Sequence, residues 1–564
     1  MQPMTEPTVP RRQGTWRRYL PVVVVVVVAA VVAGVLAGSG GKSNKPHNAA
    51  TAASSGPMTP ARAKSEGKSV NFGSNCDPRT GRIKVPTIYA PPCVAPMTGG
   101  NGGTTSPGVT GDTINVAFYV GQVNAQTKAL NAVGGVTDTP AQEVAQAQNY
   151  VTYFNDHYEL WGRKVKLVPV QATGSATDDA AAKADAIKVA TEDHAFASIG
   201  GPAQTAAYAD ELAARGVLCL GCLGTDAQAQ ANAPFMWGDE QSPEQYTIEG
   251  AKVILSQFAG KDAVFAGDKS MHSQPRRFGL VAYDTPTGTY TKAREELQGL
   301  LAKGGVQLAA NVNYFLDTST LQETATTIVS KLKASNVTTV IFAGDPYMPY
   351  YMTRVATAQN YFPEWIVTGT VLTDTTFAGR LYDQKQWAHA FGISLLTARA
   401  PQQFSDAYRL NVWQFGAPPV AKGTYGLIYP PLFDLFTGVQ LAGAHLTPQT
   451  FRDGLFRYPV TGGSPINPQI SWGHHGVWPN TDYTSSDDFT FIWWNAALKG
   501  IQDEVGTVGN GAYEYVNGGK RYLPTAVPSS PVGFFNPTGA VAVYAQPPAS
   551  ASHPNYPSPA GTHP

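Results

Sequence analysis

The sequence predicts an α/β protein of two lobes, each built on a parallel sheet. Three observations carry this expectation. Buried-strand patterns alternate with helical ones, and the alternation runs through the chain twice. The 564 residues are too many for one core. Two apolar runs, ending in "GGPAQT" and "GCLGTD", both stop at glycine and small polar residues within the single stretch 199–226.

The first series opens with "TINVAFYVG" (113–121), an apolar run of strand length. Val144, Ala147, Val151, Phe154 and Tyr158 follow at helical spacing. "KVKLVPVQ" (164–171) is the second strand. Thr177 can cap the next helix, with Asp178 and Asp179 in a first turn that favours carboxylates. "AFASIGG" (195–201) is the third strand, a helix then runs to Gly216, and "VLCLG" (217–221) is the fourth. The second series places strands at 278–284, 306–315, 338–344 and 364–370. Helices over 292–303, 321–334 and 347–359 separate them. Such alternation means parallel sheets with right-handed crossovers. A later helix in "LFDLFTGVQLAG" (432–443) and a late strand in "FTFIWW" (489–494) return to complete the lobes.

An open parallel sheet presents its ligand site beyond the carboxyl ends of the strands. "GGPAQT" and "GCLGTD" therefore meet in space. Glycines such as Gly224 let backbone approach a ligand, and N–H groups opening the next helix favour an anion or a carbonyl. Gln204, Thr205, Thr225 and Asp226 can add side-chain hydrogen bonds. Ordinary helix capping is the competing reading of the same residues.

The N-terminus carries a separate signal. Arg11, Arg12, Arg17 and Arg18 precede an uncharged, valine-rich segment, 21–38, long enough to cross a bilayer core of about 30 Å. Residues 1–20 are expected in the cytoplasm and the remainder outside. A signal-anchor is favoured over a cleaved signal peptide, and no cysteine stands there for lipid attachment. Residues 39–110, rich in Gly, Pro and Ser, read as a linker, and 522–564 as a Pro-rich, extended or disordered tail. An even set of cysteines, Cys76, Cys93, Cys219 and Cys222, permits disulfides in an exported chain. Cys76 and Cys93 would close one loop. Cys219 and Cys222 form C-x-x-C at a strand end, where a structural disulfide or core thiols are favoured over zinc or redox chemistry.

Other classes are disfavoured. Lys plus Arg and Asp plus Glu balance at 40 each, so no basic surplus supports nucleic-acid binding. "GSGGKS" (38–43) lacks the leading glycine of a phosphate loop, and no cofactor motif appears. There is no H-E-x-x-H or G-x-S-x-G, and "GHH" (473–475) lacks companion ligands for a metal. Neither an enzyme nor a metal site is expected.

The ordered segments, through "YFNDHYELWGRKVKLVPVQ", "AFASIGGPAQTAAYADELAARGVLCLG" and "VSKLKASNVTTVIFAGDPYMPYYMTRVATAQ", resemble the type I periplasmic binding proteins. The similar group is the branched-chain amino-acid (Leu/Ile/Val) binders of ABC transporters, over roughly residues 111–499. The resemblance implies two Rossmann-like lobes with parallel sheets joined by a hinge. Lobe 1 would take 111–243 and 398–470, and lobe 2 would take 244–397 and 471–521. It implies a protein that closes on a small solute and delivers it to an ABC permease. In that group the loops after the third and fourth strands bind the ligand carboxylate; the matching positions are 202–205 and 224–226. The group's ammonium-binding acid is replaced by Thr370 and Val371, with Asp345 and Asp374 nearby. A solute without an amino group therefore fits at least as well. Tyr290 and Tyr347 match places of aromatic ligand contact, and Gln122 follows the first strand. Residues 258–279 are an insertion relative to the group. The alternative reading is a membrane-tethered sensor or scaffold that controls a protein partner with the same lobes.

Overall fold

The structure is a computed structural model that describes residues 56–123, 128, 131–132, 136–202, 204–222 and 224–561. All belong to one compact unit, 55–564. The expected cytoplasmic stretch 1–20 and anchor 21–38 lie outside the described residues, as does most of the first third of the expected linker. Among the described residues no helix is long and apolar enough to cross a membrane.

Lobe 1 holds five parallel strands, β1 (Thr113–Val120), β2 (Lys164–Gln171), β3 (Ala197–Ile199), β4 (Leu218–Leu220) and β5 (Met236–Trp237), in spatial order 2-1-3-4-5. On one face pack α1 (Pro140–His157) and three helices from far along the chain. On the other face pack α2 (Asp179–Thr191) and α3 (Ala207–Ala214). Ile114, Val116, Phe118 and Val120 of β1 face the first layer, and Ala117 and Tyr119 the second. Burial on both faces explains why the strand reads as an unbroken apolar run. The short helix α4 (Asp226–Ala231) follows β4.

Lobe 2 repeats the plan with α5 (Pro243–Val253), β6 (Phe278–Tyr283), α6 (Thr291–Lys303), β7 (Ala310–Tyr314), α7 (Leu321–Ala334), β8 (Thr339–Ala343) and α8 (Met348–Ala358). β9 (Glu364–Val367) and β10 (Ala390–Ser394) extend the parallel sheet. Antiparallel β11 (Phe489–Asn495), β12 (Ala512–Tyr515) and β13 (Arg521–Tyr522) finish it. The order is 12-11-10-9-8-6-7, with β13 also on β11. Helices α5 and α6 cover one face, α7 and α8 the other.

The chain crosses between lobes three times. It leaves lobe 1 after β5, and returns after β10 to supply α9 (Asp406–Phe415), α10 (Tyr425–Ala442) and α11 (Pro448–Phe456) to the lobe 1 core. It then crosses again into β11. The first and third crossings run side by side: Gly238 and Thr484 form a parallel bridge, and Gly238 N donates to Tyr483 O at 3.0 Å.

Three local readings differ from the structure. Asp178, not Thr177, caps α2, its carboxylate accepting from Ala180 N and Ala181 N. Residues 56–110 do not behave as a free linker. Too sparse in apolar residues for a core of their own, they add Val85, Ala90 and Cys93 to that of lobe 1. Cys76 and Cys93 are joined there as a disulfide. The tail is likewise packed: the Phe534 ring lies 5.5 Å from Phe258 and 5.1 Å from Phe391. Its prolines stop regular structure without preventing burial.

Candidate functional site

Both sheets have their switch points, between β1 and β3 and between β6 and β8, at strand ends that face the gap between lobes. A cavity of about 870 Å³ opens there, lined from both lobes. Gln122, Gln204, Gly224, Thr225 and Asp226 line it from lobe 1, and Tyr290, Asp345, Tyr347 and Thr370 from lobe 2. Thr205 is not among its walls. Its hydroxyl donates to Asp179 and accepts from Ala207 N, so it closes the start of α3 onto α2. Ala203 and Leu223, within the two loops, lie outside the described residues.

Shared lining does not mean shared freedom to bind. Thr225 is the N-cap of α4, accepting from Gln228 N at 3.1 Å. The Asp226 N–H donates to Glu244 Oε2 at 2.8 Å. The anion position opening α4, read from sequence as a ligand cradle, is thus occupied by the protein's own carboxylate. Asp226 itself accepts from Asn480 at 2.6 Å. A Cβ at Gly224 would displace only the ends of two flexible side chains, Met236 Cε and Gln228 Oε1. Gln122 donates to Ala172 O at 2.8 Å. Cys219 and Cys222 are disulfide-bonded beside this loop, and Cys222 lines the cavity. Thr225→Ala should therefore cost about 1 kcal/mol of stability through the lost cap. Chemical denaturation would measure it, and no loss would show the cap to be redundant.

Lobe 2 makes similar commitments. Asp345 accepts from Tyr347 N and Met348 N, at 2.8 and 3.0 Å, and from the Tyr314 hydroxyl. With Oδ1 committed at the start of α8 and Oδ2 to Tyr314, it is a poor substitute for an ammonium-binding acid. Asp374 is buried against Ser394 Oγ at 2.5 Å and is not a wall of the cavity. Thr370 Oγ1 accepts from Gly344 N and donates to Gly344 O, each at 2.9 Å, and so ties the loop after β9 to that after β8. The next two residues have left-handed backbones, Val371 at φ 36° and Leu372 at φ 60°. A β-branched residue there stores roughly 1–3 kcal/mol of strain, at the rim of the cavity.

Two tyrosines remain suited to contact. Tyr290 stacks obliquely on Tyr283, centroids 5.5 Å apart, and burial raises its hydroxyl to about 12, keeping it a neutral donor. Tyr347 donates across the gap to Asn131 Oδ1 at 2.9 Å, joining lobe 2 to lobe 1.

Sequence reasoning missed Glu240 and Arg294. Glu240 stands in the first crossing and lines the cavity. Burial, then the charges of Asp239 and Asp374, raise its carboxyl to about 8. The signal was visible as an acid pair just before the capping box Ser242–Gln245. Arg294 is the one cationic residue among the described residues lining the cavity, and its Nε is buried without a hydrogen-bond partner. Within an amphipathic helix it carried no signal.

No protein-family model matches the sequence, and no curated protein matches it. Solved structures do. A solute-binding protein of an ABC transporter from Rhodopseudomonas palustris, in complex with 4-hydroxybenzoate, is similar with a TM-score of 0.50 at 13% identity, over 74% of this chain and 98% of its own. Another from the HaA2 strain, in complex with p-hydroxybenzoic acid, gives the same four values. A branched-chain amino acid transporter substrate binding protein from Streptococcus pneumoniae, in complex with isoleucine, has a TM-score of 0.46 at 11% identity, over 72% of this chain and all of its own, 100%. At such identity the likeness concerns architecture: the chain has the two-lobed α/β fold of type I periplasmic solute-binding proteins.

Proposed function

We propose that this protein is an extracytoplasmic solute-binding protein, which captures a small organic solute between its lobes for an ABC-type permease. One observation carries the reading. A cavity of about 870 Å³ lies at the carboxyl ends of both parallel sheets, is lined from both lobes, and is left open by the side chains of the described residues. That volume falls in the usual range for small-molecule sites. The solute-binding proteins of similar fold, two of them holding hydroxybenzoates, add support. Closure would follow from contacts that both lobes make only in the closed state.

The solute we favour has no amino group. The carboxylates of Asp284 and Asp345 are engaged by backbone and hydroxyl donors, and burial raises the Glu240 carboxyl to about 8. Arg294, whose buried Nε has no hydrogen-bond partner, awaits an acceptor. The extracytoplasmic placement rests on the arginines and apolar segment of residues 11–38.

A thermal-shift screen of amino acids, short organic acids, amides and sugars tests the function. A true solute at a hundred times its Kd should add about 2.7 kcal/mol of apparent stability. Acids without amines are expected to respond more strongly than amino acids. A flat response to all four classes would refute solute capture, and a response confined to amino acids would overturn the proposed class.

A further inference from the structure

The cavity does not stop at the cleft. It runs on into lobe 2, between the sheet and the helices that cover it. Along α5 its walls recur at Pro243, Tyr246, Thr247, Gly250 and, just past the helix, Ile254, which is one helical face. From Pro243 to Gly250, seven residues of rise make the open part of that wall roughly 10 Å long. Opposite lie Leu280 and Ala282 of β6 and Ile341 and Ala343 of β8, paired in register on one sheet face. Ala293 and Leu297 of α6 close the side.

This layer should have been filled. A helix packed on a sheet ordinarily interdigitates at close-packed density. Here small residues stand where large ones would fill the space. Gly250 is the clearest case. It is buried in the middle of α5, where glycine costs helix stability. Yet a Cβ at that position would meet nothing within 4 Å outside its own helix. No protein atom demands the glycine. Where the branch ends, the helix widens into a π-helical turn, Ile254–Phe258, a feature common at functional sites.

The one cation in the walls is placed to match. Arg294 precedes Leu297 by nearly one turn on α6, on the side of Tyr290 and the mouth. Helical side chains lean towards the N-terminus, which carries the guanidinium further that way. A buried Nε without a partner is an unmet donor.

We propose that the lobe 2 branch is a subsite for the hydrocarbon body of an organic acid whose anionic group Arg294 holds. The inference rests on the solute-binding reading and narrows it to amphipathic monocarboxylates. The body lies against Tyr246, Ala282, Ala343 and Leu297, and Gly250 leaves it room. Arg294 meets the carboxylate nearer the cleft.

Calorimetric titration of the full chain with the straight-chain acids from butanoate to decanoate, and with octan-1-ol, tests this. Affinity is expected to rise about fourfold per methylene until the branch is full. Octanoate should bind at least tenfold more tightly than octan-1-ol, and Arg294→Gln should remove that preference. Gly250→Leu should weaken octanoate more than tenfold, with the loss growing with chain length. Gly250→Ala improves helix propensity, so its ligand-free melting temperature should equal or exceed the parent's while decanoate binding falls. A flat chain-length series, or Gly250 variants that bind decanoate as the parent does, would overturn the subsite even if other solutes bind the cleft. Equal binding of octanoate and octan-1-ol would overturn the role of Arg294. If no solute of any class binds, solute capture falls and the subsite with it.

Discussion

Glu364→Ala is expected to lower the unfolding free energy by about 3–5 kcal/mol. Glu364 opens β9 and is wholly buried, with Arg276 beside it only 3% exposed. Arg276 Nε and Nη2 donate to the two carboxylate oxygens at 2.7 and 2.9 Å, a bidentate pair. The same oxygens accept from Phe265 N at 2.9 Å and Thr339 Oγ1 at 2.6 Å. The guanidinium sits over the Phe258 and Phe265 rings, 5.3 and 5.7 Å from their centroids. Alanine would strand the guanidinium, a backbone N–H and a hydroxyl in an apolar wall. Glu364→Gln should cost less, since it keeps an acceptor for Thr339 or Phe265. Urea denaturation with an unchanged m-value would measure both. A loss below about 1 kcal/mol for the alanine variant would show that water reaches the pair. The pair also explains residues 258–279, set apart from sequence as an insertion. The segment is pinned to the lobe 2 sheet through one carboxylate.

The second large effect concerns pH. Carboxyl groups crowd the crossings between lobes. Burial raises Asp239 to about 6, Asp374 and Asp487 to about 7, and Glu240 to about 8, and pushes Glu249, Asp434 and Asp482 well up. The neighbouring Asp488 has a close cation, Arg521 Nε at 2.7 Å. Each raised acid is protonated in the folded state at a pH where the unfolded chain has released its proton. Its contribution is complete below the unfolded value near 4 and is lost as pH rises through the folded value. Each such group costs about 1.4 kcal/mol per pH unit over that window. Three half-buried histidines, His157, His389 and His553, are lowered, and their contribution is lost in the other direction, as pH falls below about 6.5. The melting temperature should therefore decline from about pH 6.5 to pH 8.5, and Glu240→Gln should flatten the decline. A temperature constant or rising across that range would contradict the buried, protonated junction. Because Asp239, Glu240, Asp482 and Asp487 stand in the crossings, the same titration should loosen the hinge at alkaline pH.

Much of the architecture was written locally. The β1 run at 113–121 and the α7 stripe at 321–334 announce themselves because strand and helix periods lie within a dozen residues. The loops bearing Gln204, Thr225, Tyr290 and Asp345 were also legible. A ligand cavity in a parallel sheet sits at its carboxyl ends, and those ends can be counted from the chain. Strands β5 and β10 were missed: one has two residues, and the other is flanked by an aromatic-rich stretch without clear alternation.

What the chemistry of the site depends on was settled only in three dimensions. Asp226 looked like an open helix start until Glu244, 18 residues on, filled it. Thr205 looked like a ligand contact until Asp179 claimed it. The stripe Tyr246, Gly250, Ile254 has the period of a core-facing helix face, and only the small residues across the layer turn it into a cavity wall. Sequence by itself determined which segments are strands and helices and at which end of each sheet a ligand would lie, because those follow from the period of the backbone. Tertiary structure decided which donors and acceptors are already satisfied and where volume is left empty, because both depend on partners brought from distant parts of the chain.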